Sequence, residues 1–242
     1  MNLIIDVGNS IVKLAVFKQE KIILKNKISL QDLQNKIYDI TKEFKNIEKA
    51  IISSVGNLKK NDLSFIKKHF KILVLDASIK VPFQNLYKSP KTLGVDRIAL
   101  VSASVKNYYK QNVLIIDAGT CITYDFINNE NKYIGGAISP GIITRYQSLN
   151  NLTANLPLLE TKTPHNFIGN STTESIHSGI INGILNEIEG TISEYDKNYK
   201  DLTVILTGGD ADFLSKQLKS SIFANSNFLL EGLNYILEFN TN

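Results

Sequence analysis

The chain has 242 residues, a formal charge of +4, 43% apolar and 21% charged residues. A chain of this length buries a proper core as one large domain or two packed ones, and the composition excludes a disordered or low-complexity protein. The mild, dispersed charge gives no reason to expect nucleic acid, and with no basic leader or sustained apolar stretch at the amino terminus neither secretion nor a membrane span is expected.

Residues 2–7, 11–17 and 20–28 read as three short strands rich in Ile, Val and Leu, a β-meander broken by Gly8-Asn9-Ser10 and Lys18-Gln19-Glu20. Ser29 with Asp32 resembles a capping box, and Leu33, Ile37, Ile40 and Phe44 share one helical face. Strand-like Ala50-Ile51-Ile52, a helix near 60–70 and a strand over 72–75 complete a unit that builds parallel pairing. Residues 76–93, with Pro82 and Pro90, have no clear period, and a connection this long and irregular is more often a binding segment than a linker. It ends at Gly94, ahead of a helix from about Val95 to Tyr109. The opening pattern then returns: strands at 113–117, 121–127 and 132–138, helices near 142–151 and 172–195, a strand at 203–206 and a helix at 231–239. The fold expected is α/β.

An offset of 111 places Leu3, Ile4, Ile5, Asp6, Gly8 and Ile11 on the identical residues Leu114, Ile115, Ile116, Asp117, Gly119 and Ile122. The second half therefore repeats the first, with expected domains over 1–111 and 112–242. In each copy a buried strand ends in a carboxylate, and the glycine after it turns the backbone tightly and aims N–H groups at an anion. Gly8, Asn9, Ser10, Gly119 and Thr120 can hold phosphate oxygens, Asp6 and Asp117 can hold the cations that neutralise them, and Lys13 can add a point charge. Two ordinary hairpins with Asp-Gly turns are the plain alternative. A third glycine turn, Thr207-Gly208-Gly209-Asp210, suits an adenine or ribose lying on the backbone, or equally a helix capped by Asp210.

The lone Cys121 rules out an internal disulfide framework. Its apolar setting points to a small buried side chain and fits a reducing cytoplasm. His69, His165 and His177 are scattered, so no transition-metal site is expected and all three read as structural or exposed.

With these parts located, the sequence resembles the acetate kinase, sugar kinase, Hsp70 and actin superfamily, and within it the type III pantothenate kinase family. The resemblance rests on Asp6-Val7-Gly8-Asn9-Ser10, on Tyr87-Lys88-Ser89-Pro90-Lys91-Thr92-Leu93-Gly94-Val95-Asp96-Arg97, and on Asp117-Ala118-Gly119-Thr120. Gly135 to Gly141, Thr153 to Pro157, and Gly169 to Thr172 running on to Gly179 extend it along nearly the whole chain. Ser10 stands where the family usually has threonine, which keeps the hydroxyl.

The resemblance implies duplicated ribonuclease-H-like domains of the actin-like ATPase fold, each a mixed sheet with flanking helices. The first would carry one phosphate hairpin and the pantothenate segment; the second would carry the other hairpin, the adenosine site and a dimer helix. It implies transfer of the γ-phosphoryl group of ATP to pantothenate, giving phosphopantothenate, the first step of coenzyme A synthesis. Magnesium and a monovalent cation, potassium or ammonium, would be required. ATP would be held by Asp6, Val7, Gly8, Asn9, Ser10, Ile11, Val12, Lys13 and Thr120, and substrate by Tyr87, Gly94, Val95, Asp96, Arg97 and Thr172. Asp117 would hold the monovalent cation, and by analogy of position Asp6 is assigned to magnesium.

Asp96 is the implied general base, although a carboxylate at the start of a helix is on its own equally a cap. Arg97 can pair with the substrate carboxylate or neutralise Asp96. A homodimer with a shared active site is implied, and Thr172 would then serve the neighbouring pocket. The face of the helix at 172–195 that carries Gly179, Gly183 and Gly190 suits close packing on a partner or within the core. Among rivals, a sugar kinase of the same superfamily would not set its base in this Tyr-Pro-Leu-Gly-Asp-Arg context. An inert ATP-binding regulator would not need both Asp96 and Asp117, and a two-metal nuclease would cluster its carboxylates.

Overall fold

A computed structural model describes residues 1–8, 11–54, 58 and 60–241. In chain order the strands and helices are β1 (Asn2–Val7), β2 (Val12–Lys18), β3 (Lys21–Ile28), α1 (Leu33–Glu43), β4 (Lys49–Ser54), α2 (Lys60–His69), β5 (Lys71–Val74), β6 (Gln84–Asn85) and α3 (Val95–Asn107). They continue as β7 (Asn112–Ala118), β8 (Cys121–Ile127), β9 (Lys132–Pro140), α4 (Ile142–Leu152), α5 (Thr172–Asn198), β10 (Leu202–Thr207), α6 (Ala211–Ser215), β11 (Phe223–Ala224) and α7 (Phe228–Thr241). Two compact units result: Met1–Tyr109 with the segment from Asn227 onward, and Lys110–Ser226. The sequence boundary at 111 assigned α7 to the second half; its packing partners are α3, β1 and β4 of the first unit.

In the first unit the sheet order is β3-β2-β1-β4-β5. β1 pairs antiparallel with β2 and parallel with β4, which is the mixed pairing expected of a meander followed by a strand-helix-strand unit. β1 is buried along its whole length, whereas β3 at the edge holds only exposed and half-buried residues. Leu33, Ile37 and Ile40 turn one face of α1 onto the core formed by Leu3, Ile5, Val7, Leu14 and Ile52. Ser29 does not close the expected capping box: its hydroxyl donates to the Asp32 carboxylate at 2.7 Å, and a short 3-10 turn over Leu30–Asp32 precedes α1. α3 is buried from Arg97 to Val105. It meets α7 at Gly232, where an added Cβ would lie 1.9 Å from the Ala99 carbonyl oxygen.

The second unit repeats the plan, with strand order β11-β10-β7-β8-β9. β7 pairs antiparallel with β8 and parallel with β10, as β1 does with β2 and β4. Ile176, Ile180, Ile184, Ile188 and Ile192 recur every fourth residue along α5 and are all buried in a core with Leu114, Ile116 and Leu206. Ser171 caps this helix by accepting the Glu174 amide at 3.2 Å.

Candidate active site

In the first unit, Asp6 is the penultimate residue of β1. It stands in register with Lys13 of β2 on one side and Ser53 of β4 on the other. Asp6 is 5% exposed, and Lys13 Nζ lies 3.5 Å from its Oδ2. Loss of hydration pushes the Asp6 carboxyl above the ordinary aspartate value. The Lys13 charge and Ser53 act against that rise, and the charge of Asp96 adds to it. The turn closes with the Gly8 amide donating to the Ile11 carbonyl at 3.1 Å. Val7 and Val12 send their side chains into the core, so they offer a ligand only backbone, whereas Ile11 is 48% exposed. Asn9 and Ser10 lie outside the described residues.

Asp96 is set by the break between an irregular segment and α3. Pro90–Thr92 forms a 3-10 turn, Leu93 is buried as an anchor, and Gly94 becomes the N-cap of α3. The Asp96 side chain folds back over Gly94 so closely that a Cβ there would lie 2.4 Å from Asp96 Oδ1. The same oxygen accepts the Arg97 amide at 2.9 Å, so Asp96 caps the first turn while remaining partly exposed. Arg97 is buried, with its guanidinium carbon 5.5 Å from the centre of the Tyr87 ring. Tyr87, Gly94, Val95, Asp96 and Arg97 therefore form one patch of the first unit.

In the second unit Asp117 stands between Thr123 of β8 and Thr207 of β10. This hairpin is one residue tighter: Gly119 donates to the Cys121 carbonyl at 2.9 Å, and Ala118 pairs with Ile122 where Val7 pairs with Val12. Ile122 is thus the buried counterpart of Val12, and its identity with the exposed Ile11 has no structural meaning. The same shift puts Cys121 at the exposed start of β8 rather than in the core expected for it.

Two other turns grip this hairpin. The Thr120 carbonyl accepts the Gly141 amide at 3.0 Å and the Thr144 hydroxyl at 2.6 Å. The Ala118 carbonyl accepts the Asp210 amide at 3.0 Å. A Cβ on Gly141 would lie 1.9 Å from the Gly119 carbonyl oxygen, and one on Gly208 (φ +100°) 2.1 Å from that of Ala118. Gly119 and Gly209 differ: a Cβ on either meets no described atom within 4 Å, and neither has a left-handed φ. Their missing side chains leave room for something other than the chain itself. Asp210 occupies the N-cap position of α6, but its side chain makes no capping hydrogen bond.

The start of α4 is braced from α5. Glu187 accepts hydrogen bonds from Tyr124 Oη at 2.8 Å, from Ser139 Oγ at 3.1 Å and from the Arg145 guanidinium. Burial alone would raise the Glu187 carboxyl, but these donors outweigh it and hold it below the ordinary value. Arg145 also lines a groove of about 690 Å³ with Ser148, Thr172, Ser175 and Gly179. Thr172 is exposed there at the first position of α5.

A sequence profile described as type III pantothenate kinase matches residues 2–194. The chain belongs to the type III pantothenate kinase family. A type III pantothenate kinase of Christiangramia forsetii is 52% identical over 240 residues, covering 99% of both chains. One from Flavobacterium johnsoniae is 45% identical over 239 residues, covering 99% of this chain and 98% of its own. Among solved structures, a ROK family glucokinase from Streptomyces griseus, in complex with glucose and AMPPNP, aligns with a TM-score of 0.53 at 11% identity, covering 99% of this chain and 98% of its own. That likeness, with the repeated mixed sheets, makes the fold the duplicated ribonuclease-H-like, actin-like ATPase fold.

Against this family background, sequence reasoning passed over Ser53, Thr123, Thr144, Arg145 and Glu187. Ser53 left one trace, a small polar residue closing the apolar strand run from Ala50. Arg145 and Glu187 are 42 residues apart and left none. His177 is buried, with Nδ1 2.7 Å from Tyr146 Oη, and His69 and His165 are exposed. Among the described residues no three His, Cys, Asp or Glu side chains gather into a metal cage. Magnesium is commonly held by one or two carboxylates together with substrate phosphates and water; in the first hairpin Asp6 offers one carboxylate, beside the Lys13 ammonium.

Proposed function

We propose that this chain transfers the γ-phosphoryl group of ATP to the terminal hydroxyl of pantothenate, the first step of coenzyme A synthesis, with Asp96 as general base. In a chain of this family, the observation that carries the reading is the setting of Asp96. One carboxylate oxygen is engaged by the Arg97 amide over a glycine, the group remains accessible, and its charge is felt by Asp6. Phosphoryl transfer asks a protein mainly for alignment, charge neutralisation and a proton acceptor.

Gly8, Asn9, Ser10 and Thr120 would hold the ATP phosphates, with Lys13 and the backbone of Val7, Ile11 and Val12 completing the first hairpin. Gly209 would leave room for the adenosine. Asp6 would hold magnesium directly or through water, and Asp117 a monovalent cation, potassium or ammonium. When bound, these ions neutralise the charge that builds on the phosphates. Tyr87, Gly94, Val95 and Arg97 would orient pantothenate, with Arg97 suited to its carboxylate. The two units are read as the two domains. The open glycine face of α5 is read as the seat of a homodimer in which Thr172 serves the neighbouring pocket, and the setting as the cytoplasm.

The test is an acceptor panel with ATP, magnesium and potassium, comparing pantothenate with glucose and N-acetylmannosamine. Pantothenate is expected to be the acceptor, and Asp96→Asn to lower kcat by about 10²–10⁴-fold while ATP still binds. No pantothenate turnover by a folded, ATP-binding sample overturns the reading. Full activity in Asp96→Asn removes the base and leaves the substrate.

A further inference from the structure

The duplication allows the two aspartates to be compared position by position. β1 lies between β2 and β4 as β7 lies between β8 and β10. By strand pairing, Lys13 opposite Asp6 corresponds to Thr123 opposite Asp117, and Ser53 corresponds to Thr207. The linear offset conceals this, because the second turn is one residue tighter.

The two positions beside the carboxylates differ in kind. At Asp6 the neighbour is an ammonium, 3.5 Å from Oδ2. At Asp117 it is the Thr123 hydroxyl, whose oxygen is buried and has no hydrogen-bond partner among the described residues. A buried hydroxyl without a partner is unfavourable. Ser53 Oγ beside Asp6 is in the same state, but there an ammonium already stands opposite the carboxylate, whereas the position opposite Asp117 offers only the Thr123 hydroxyl and leaves a place for a cation from outside the chain. Asp117 and Thr123 stand directly opposite each other across the strand pair; a carboxylate oxygen with a neutral hydroxyl oxygen suits a hard cation, and their combined charge of about −1 matches a single positive charge better than two.

We infer that Thr123 Oγ1 and the Asp117 carboxylate are two ligands of a diffusible monovalent cation, and that the Lys13 ammonium is the tethered equivalent of that ion beside Asp6. The inference rests on the proposal that Asp117 holds a monovalent cation, and adds the second ligand and the reason only one hairpin needs a monovalent ion, whether or not magnesium also binds at Asp6. A fixed ammonium would thus stand in one hairpin where the other takes an exchangeable monovalent ion.

The test uses the full chain with magnesium and a non-hydrolysable ATP analogue, titrated calorimetrically with thallous ion as the probe for potassium. Thr123→Ser, which keeps the hydroxyl, is expected to bind the ion as the wild type does. Thr123→Val, which keeps the shape, is expected to bind it about tenfold or more weakly. Thr123→Lys is expected to lose the binding signal and to turn over without dependence on potassium. Unchanged binding in a folded Thr123→Val protein overturns the second ligand, and a folded, active Thr123→Lys protein that still needs potassium overturns the equivalence with Lys13. A wild type that binds no ion removes the Asp117 reading and this inference with it, while pantothenate turnover, measured separately, is untouched.

Discussion

Replacing Gly208 with alanine tests how tightly the second hairpin is held. At φ +100° an L side chain is strained, and the added methyl carbon would lie 2.1 Å from the Ala118 carbonyl oxygen and 2.5 Å from Asp117 Oδ1. The carbonyl belongs to the last residue of β7 and already accepts the Asp210 amide, so it has little freedom to retreat. Backbone strain of this kind costs about 1–3 kcal/mol, and forcing an extra carbon into a packed site about 1–3 kcal/mol more. The sum, about 2–6 kcal/mol, corresponds for a chain of this size to a fall in Tm of about 5–20 °C. Gly209→Ala is the internal control: a Cβ there meets nothing within 4 Å, so its Tm should stay within about 2 °C of the wild type. Calorimetry and urea unfolding of the two variants side by side provide the comparison. ATP affinity should fall in Gly208→Ala because the Asp117 carboxylate is displaced. A Gly208→Ala protein as stable as Gly209→Ala would refute the view that this glycine is required by close approach.

Two further expectations concern pH. Asp6 has a folded pKa raised above 3.8, so the stability linked to its proton is fully present below that value and lost as pH rises through the folded pKa. Asp6→Asn should therefore match the wild type in acid and exceed it in urea resistance at pH 7, while binding magnesium-ATP poorly; lower stability at pH 7 would count against the assignment. Glu187 has the opposite sign. Its pKa is held below 4.5, so its contribution is present above that value and lost as pH falls through the folded pKa. Glu187→Gln should cost about 1–3 kcal/mol at pH 7 in urea unfolding, a gap that closes in acid.

The sequence revealed the meander, the strand-helix-strand unit and the duplication because each depends on local periodicity and on glycine at a turn. The break that sets Asp96 at the start of α3 was legible for the same reason, through the Pro90 and Gly94 punctuation ahead of an apolar helix. Register was not legible. Aligning Ile11 with Ile122 was natural in one dimension, yet pairing shows Val12 in that place, and with it Lys13 facing Thr123. A one-residue change in a turn alters no composition and no period, but it moves every side chain after it relative to the strand opposite. The Arg145–Glu187 brace was hidden because neither residue is unusual at its own position, and the position of α7 because an amphipathic helix does not state which sheet it covers.

That last helix links the fold to the order of its synthesis. Asn2 Nδ2 donates to Asn234 Oδ1 at 2.8 Å across 232 residues of chain, and Leu230, Leu233, Ile236 and Leu237 of α7 are fully or almost fully buried. The segment up to Tyr109 must therefore wait with an uncovered apolar surface until α7 has been synthesised, while the continuous stretch from Lys110 to Ser226 can close on itself in the interval. Of the two units, the one holding Asp6 and Asp96 is thus begun before the other and completed after it.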